Sequence, residues 1–121
     1  MSLIWFKRIL AAVALLSLPT LAGAADLGML KGPGHVLMLR HAYAPGTGDP
    51  ANFDVERCET QRNLNDRGRE QSGDWGARFR DAGIEPSRVL SSQWCRCLET
   101  ARLMGVGDVE PFWPLNSFFT Q

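Results

Sequence analysis

The sequence has no apolar run long enough to cross a bilayer, no excess of basic side chains, and no histidine beyond position 41. Each of these absences removes a class of protein or a piece of chemistry. The longest apolar stretch, Ile9 to Leu18, is closed by Pro19 and falls well short of the about 20 residues a membrane helix needs. Lysine plus arginine and aspartate plus glutamate each number 13. Lys7 and Arg8 precede the apolar stretch, so the rest of the chain is slightly acidic, and a nucleic-acid binder or a membrane-surface protein is not expected. Cys58, Cys95 and Cys97 have no nearby histidine, so the four ligands of a closed zinc site are not available locally, and no metal is expected. Gly46-Thr47-Gly48 lacks the strand-to-helix setting of a nucleotide loop, and there is no Gly-x-Ser-x-Gly elbow, internal repeat or low-complexity segment.

What is present begins with a leader. Lys7 and Arg8 give it a positive end, Ile9 to Leu18 its apolar centre, and Ala22-Gly23-Ala24 a small-residue cleavage site. Residues 1–24 therefore read as a signal peptide cut after Ala24, with the product periplasmic or secreted and without a membrane anchor. Residues 25–121 are enough for one small domain. Export also favours disulfides. The expected bridge joins Cys58 to Cys95 or Cys97, because Cys95 and Cys97, with one residue between them, would make a strained ring.

Val36-Leu37-Met38-Leu39 is continuously apolar, the pattern of a strand covered on both faces. Residues 42–60, with Pro45, Gly46, Gly48, Asp49 and Pro50, read as a long loop of functional or flexible character. A helix is expected from about Asp66 to Ala82, capped by Asn65, with Trp75, Phe79 and Ala82 on one stripe and Gly83 as its stop. Internal glycines count against it. Arg88 to Ser91 reads as a second strand and Gln93 to Met104 as a second helix capped by Ser92. Strand, helix, strand, helix predicts an α/β fold with a parallel sheet. Phe112-Trp113-Pro114 and Phe118-Phe119 are expected to pack against that sheet.

Ligands of such a sheet bind beyond the carboxyl ends of the strands. That rule selects Arg40-His41 after the first strand, and Ser91-Ser92 with Arg96 after the second. Two guanidinium forks match the charge and oxygen geometry of a phosphate dianion, with unpaired N–H groups of the helix start as further donors. A neutral imidazole beside the bound phosphorus is a competent nucleophile.

Leu39-Arg40-His41-Ala42, Leu64-Asn65-Asp66-Arg67-Gly68-Arg69-Glu70-Gln71-Ser72 and Ser91-Ser92-Gln93-Trp94-Cys95-Arg96-Cys97-Leu98-Glu99-Thr100-Ala101 together resemble the histidine phosphatase superfamily, also called phosphoglycerate-mutase-like. Order and spacing agree over roughly residues 34 to 104. The simpler branch, branch 1, fits better than the acid-phosphatase and phytase branch, which carries Arg-His-Gly-x-Arg-x-Pro where this chain has Arg40-His41-Ala42-Tyr43-Ala44-Pro45. The resemblance implies a three-layer parallel α/β sandwich, with the C-terminal part of the domain missing from this chain. It implies His41 as the phosphorylated nucleophile, Arg40 and Arg96 as phosphate ligands, Ser92 and Thr100 as further pocket residues, and no metal or organic cofactor. A small phosphorylated substrate or a phosphoprotein would be the partner.

Two features depart from the family pattern. The family completes its pocket with a second histidine late in the domain, and His35 cannot supply it. His35 opens the stretch that His41 closes, about 15 to 20 Å away at about 3.3 Å per residue. Ser117 stands where many members carry a proton-donating glutamate, and Glu110, the nearest carboxylate in sequence, reads as a surface acid. A non-catalytic phosphate-binding protein, a truncated product and a small disulfide-bonded interaction module are therefore the competing expectations.

Overall fold

Asn65 begins the longest element among the described residues because its side chain accepts the Gly68 N–H at 3.1 Å, satisfying one of the donors a helix start leaves open. In the computed structural model, which describes residues 26–118, helix α1 runs over Asp66–Asp81. Gly83, at φ 67°, turns the chain out of it as expected. The expected leader and its cleavage point lie outside the described residues.

Strand β1 is Val89–Ser91, helix α2 is Cys95–Met104, and strand β2 is Val109–Pro111. The two strands pair in parallel, Val89 opposite Val109 and Ser91 opposite Pro111, so β1, α2 and β2 form one crossover unit. Among the described residues the fold is thus a small α/β structure with a two-stranded parallel sheet and two α-helices. Helix α2 opens two residues later than its sequence suggests, at Cys95 with Trp94 as the cap. Ser92 still contributes, accepting the Trp94 N–H at 3.2 Å.

The stretch from Val36 to Leu39 is not a sheet strand. It pairs with no strand among the described residues, and Val36 is 88% exposed. Apolar continuity records that a segment gains by being covered, yet a strand needs a neighbour about 4.8 Å away to take its N–H and C=O groups. Among the described residues β1 and β2 bond only to each other, and no strand lies against residues 36–39. Two of the tail aromatics also differ from expectation, with Trp113 73% and Phe118 88% exposed, while Phe119 lies outside the described residues. The core lies elsewhere, between the helices and the segment after His41. It contains Ala42, Ala44, Leu64, Phe79, Trp94 and Met104, with Trp75 packed against it.

The glycines that weaken the sequence case for α1 are what let it pack. A Cβ on Gly68 would stand 2.0 Å from the Tyr43 carbonyl oxygen, and one on Gly76 1.8 Å from that of Met104. Gly68, Ser72 and Gly76 recur every fourth residue, so they share the face against which the chain and α2 close.

Candidate functional site

His41 is brought to α2 by two buried hydrogen bonds through one hydroxyl. Thr100 Oγ1 accepts the Ala42 N–H at 3.0 Å and donates to the Arg96 carbonyl at 2.7 Å. That contact, rather than two aligned strand ends, sets Arg40-His41 beside Arg96. On the other side, Gln71 Oε1 accepts the Tyr43 N–H at 2.8 Å, and the Arg67 guanidinium lies 4.7 Å from the Tyr43 ring centroid.

The His41 ring is half-buried, with Nδ1 2.7 Å from the Ala42 carbonyl oxygen. A carbonyl can only accept, so Nδ1 carries the proton and Nε2 keeps its lone pair in the neutral ring. Burial lowers the pKa of His41; the bond to Ala42 opposes that, and the charges of Arg96, Arg40 and Arg62 add to it. The imidazole is therefore held neutral among three cations.

Arg40 is exposed. Arg96 is 8% exposed, and Asp49 grips it from the loop, Oδ1 at 2.6 Å from Nη1 and Oδ2 at 3.1 Å from Nη2. Burial pushes the Asp49 carboxyl up, but hydrogen bonds from Arg96, the Arg62 N–H and the Trp94 indole together hold it below the ordinary carboxylate range. The helix-start donors expected to assist an anion are largely engaged: Ser92 takes the Trp94 N–H and Gln61 Oε1 takes that of Cys95 at 2.9 Å.

The long loop is pinned throughout. Arg62 donates from Nε to Gly48 O at 2.8 Å and from Nη1 to Ala44 O at 2.6 Å. Thr60 Oγ1 accepts the Asp54 N–H at 2.9 Å, and Gln61 Nε2 donates to the carbonyls of Asp54 and Val55 at 2.9 and 3.1 Å. Phe53 stacks on Trp94 with centroids 5.0 Å apart. Cys58 and Cys95 form a disulfide with Cα atoms 5.6 Å apart, leaving Cys97 as a free, half-buried thiol whose pKa burial raises. Beyond α2, Asn116 Oδ1 accepts from Ser92 Oγ at 3.1 Å and from the Gln93 N–H at 2.8 Å, so Ser92 serves to anchor the segment after β2. Glu110 is exposed and paired with Arg88 at 2.8 Å, a surface acid as read.

Sequence reasoning brought forward Arg40, His41, Arg96, Ser92 and Thr100, and missed Asp49 and Arg62. Asp49 stood among turn formers and Arg62 in a polar stretch, and no spacing rule singles out either. Two hollows of about 340 and 380 Å³ lie along α1 and beside the disulfide, the first lined by Arg67, Gln71 and Trp75 and the second by Cys58, Cys95 and Arg102. His41 lines neither of them.

Comparison with curated proteins and with solved structures returned no match. A scan against protein families matched histidine phosphatase superfamily (branch 1) over residues 36–111. That span takes in Arg40, His41, Asp49, Arg62, Arg96 and Thr100 and covers well over half of the 121 residues. The three arginines gathered around a neutral imidazole therefore sit within a chain that belongs to the histidine phosphatase superfamily, branch 1.

Proposed function

We propose that the chain is an exported phosphatase-like domain that takes a phosphoryl group from a phosphomonoester onto His41 and passes it to water. The observation that carries this reading is the state of His41: neutral, its Nδ1–H bound to Ala42 O and its Nε2 lone pair free, with Arg40, Arg62 and Arg96 near enough to act on its charge. Nε2 attacks phosphorus, a P–N bond forms, and the P–O bond to the leaving group breaks, with the leaving oxygen protonated from solvent. Water then attacks phosphorus, the P–N bond breaks, and inorganic phosphate leaves with the imidazole neutral again. Splitting the hydrolysis in this way replaces one difficult step by two easier ones. Positive side chains stabilise the charge that spreads over the transferring oxygens, the main source of catalysis in phosphoryl transfer.

Export rests on the leader, with the charged, apolar and small-residue zones that precede Ala25. The substrate is a small phosphorylated molecule or a phosphoprotein; a sugar phosphate and a phosphorylated envelope lipid both fit the chemistry. A second reading, a phosphate-ligand-binding protein without turnover, is favoured by one observation: Asp49 already occupies one fork of Arg96.

Incubating the exported chain with an aryl phosphate separates the two. The catalytic reading expects an acid-labile phosphoryl group on His41, lost in His41→Ala, and hydrolysis slowed about 10²- to 10³-fold in Arg96→Ala. Phosphate binding without any trapped phosphoryl group selects the second reading. Hydrolysis that survives His41→Ala overturns the nucleophile, and an uncut chain retained in the cytosol overturns export.

A further inference from the structure

Arg96 has five N–H hydrogens, and the structure accounts for three of them. Nη1 donates to Asp49 Oδ1 at 2.6 Å and to the Arg62 carbonyl at 3.1 Å, and Nη2 donates to Asp49 Oδ2 at 3.1 Å. What remains is Nε–H and the second hydrogen of Nη2. In a planar guanidinium these two lie parallel along one edge, the geometry that meets two oxygens on one centre. Nε is buried and has no hydrogen-bond partner among the described residues. A buried donor on a charged group without an acceptor is uncommon in a folded protein and marks a place where an acceptor belongs. Arg96 keeps about 10% of its side chain exposed, and its charge reaches His41, so the unpaired donor belongs to the same group of side chains as the imidazole.

Asp49 is fixed more firmly than an ordinary loop carboxylate. Its side chain has no exposure, and its oxygens also accept the Arg62 N–H at 2.8 Å and the Trp94 indole N–H at 3.2 Å. Arg62 in turn ties the backbone on either side of the turn, at Ala44 and Gly48. A carboxylate held by donors from two other residues is not free to rotate when an anion arrives, and it acts as a stop against which one end of Arg96 is set.

We propose that Asp49 is a positioning residue that takes the Nη1/Nη2 end of Arg96 and thereby presents the Nε–H/Nη2–H edge to the phosphate on its way to His41. This rests on the reading of His41 as the phosphoryl acceptor. On this account the ion pair does not block the anion site; it decides which edge of Arg96 forms it. Asparagine at position 49 offers Arg96 one acceptor and turns an N–H toward the other nitrogen, so the paired contact is broken while the side-chain volume is kept.

The test is a titration of the isotope-labelled chain with inorganic phosphate, followed at the arginine Nε–H signals and the His41 ring. The expected result is that the Arg96 Nε–H moves downfield together with the His41 signals, while the Arg96 Nη1 hydrogens stay put. Asp49→Asn should weaken phosphate binding tenfold or more and broaden the Arg96 Nε–H. Because the titration of the parent chain needs no variant, it decides the matter even if Asp49→Asn folds poorly. Phosphate that shifts His41 but not the Arg96 Nε–H overturns the role of Asp49 and leaves the phosphohistidine reading standing, as does Asp49→Asn binding phosphate as tightly as the parent. Phosphate that shifts neither overturns the reading of the site, and the positioning role falls with it.

Discussion

At the scale of single residues, the protonation state of His41 comes from its burial, the Ala42 carbonyl and the charges of three arginines. The carbonyl fixes the tautomer, and burial, assisted by the positive charges, keeps the ring neutral. The sign of the pH effect follows from that direction. A folded-state pKa below the ordinary value of about 6.5 means that, as pH falls, the unfolded chain takes up its proton first. The contribution to stability is complete above about 6.5 and is lost as pH falls from there toward the folded pKa. On the proposed phosphohistidine reading, nucleophilic capacity should be retained at neutral pH and lost as pH falls through the folded pKa. Proton NMR of the His41 ring should give a midpoint below 6.5, with phosphoryl uptake declining over the same range; a midpoint at or above 6.5 would contradict the environment described for it.

At the scale of elements, α1 shows how glycines that cost helix propensity are retained for contact. Gly76 meets the Met104 carbonyl where a methyl group would collide, whereas the space beside Gly73 in the same helix is open. Gly76→Ala should therefore destabilise the protein by about 1 to 3 kcal/mol through forced separation of the two helices. Gly73→Ala should stabilise it by up to about 1 kcal/mol by raising helix propensity and restricting the unfolded chain. Thermal or urea unfolding of the two variants measures the contrast, and equal effects of the same sign would show that the helices do not meet as described. The boundaries of α1 were legible because they depend on adjacent residues, the Asn65 cap and Gly83. The reason for its glycines was not, because Met104 lies far along the chain.

At the scale of the whole molecule, the long loop is carried to α2 by one covalent link and a group of hydrogen bonds around Asp49, Gln61 and Arg62. The Cys58–Cys95 bridge spans 37 positions, and closing a loop of that size stabilises by about 3 to 4 kcal/mol in the chain-entropy account. Cys58→Ser should lower unfolding free energy by about that amount, and it should weaken anion binding as well, since the same loop delivers Asp49 to Arg96. Denaturant titration gives the first and phosphate titration the second. Peptide mapping without reductant should return Cys58 joined to Cys95 with Cys97 free, and a Cys58–Cys97 link would displace this arrangement.

The sequence alone determined what depends on near neighbours, the Asn65-capped start of α1 and the Arg40-His41 and Arg96 motifs that carry the family, and its three cysteines limited the bridge to Cys58 with Cys95 or Cys97. Tertiary structure decided what depends on partners far apart in the chain. Cys95 and Cys97, two positions apart on a helix, point about 200° from each other, so only the placement of α2 selects which one faces Cys58. Val36 to Leu39 carries a strand's composition, but pairing needs a neighbour, and among the described residues it has none. Asp49 and Arg96 are 47 residues apart, and no local spacing expresses their contact. Their pairing arises only when the loop folds across α2, because a buried guanidinium must find its acceptors wherever the packed chain places them.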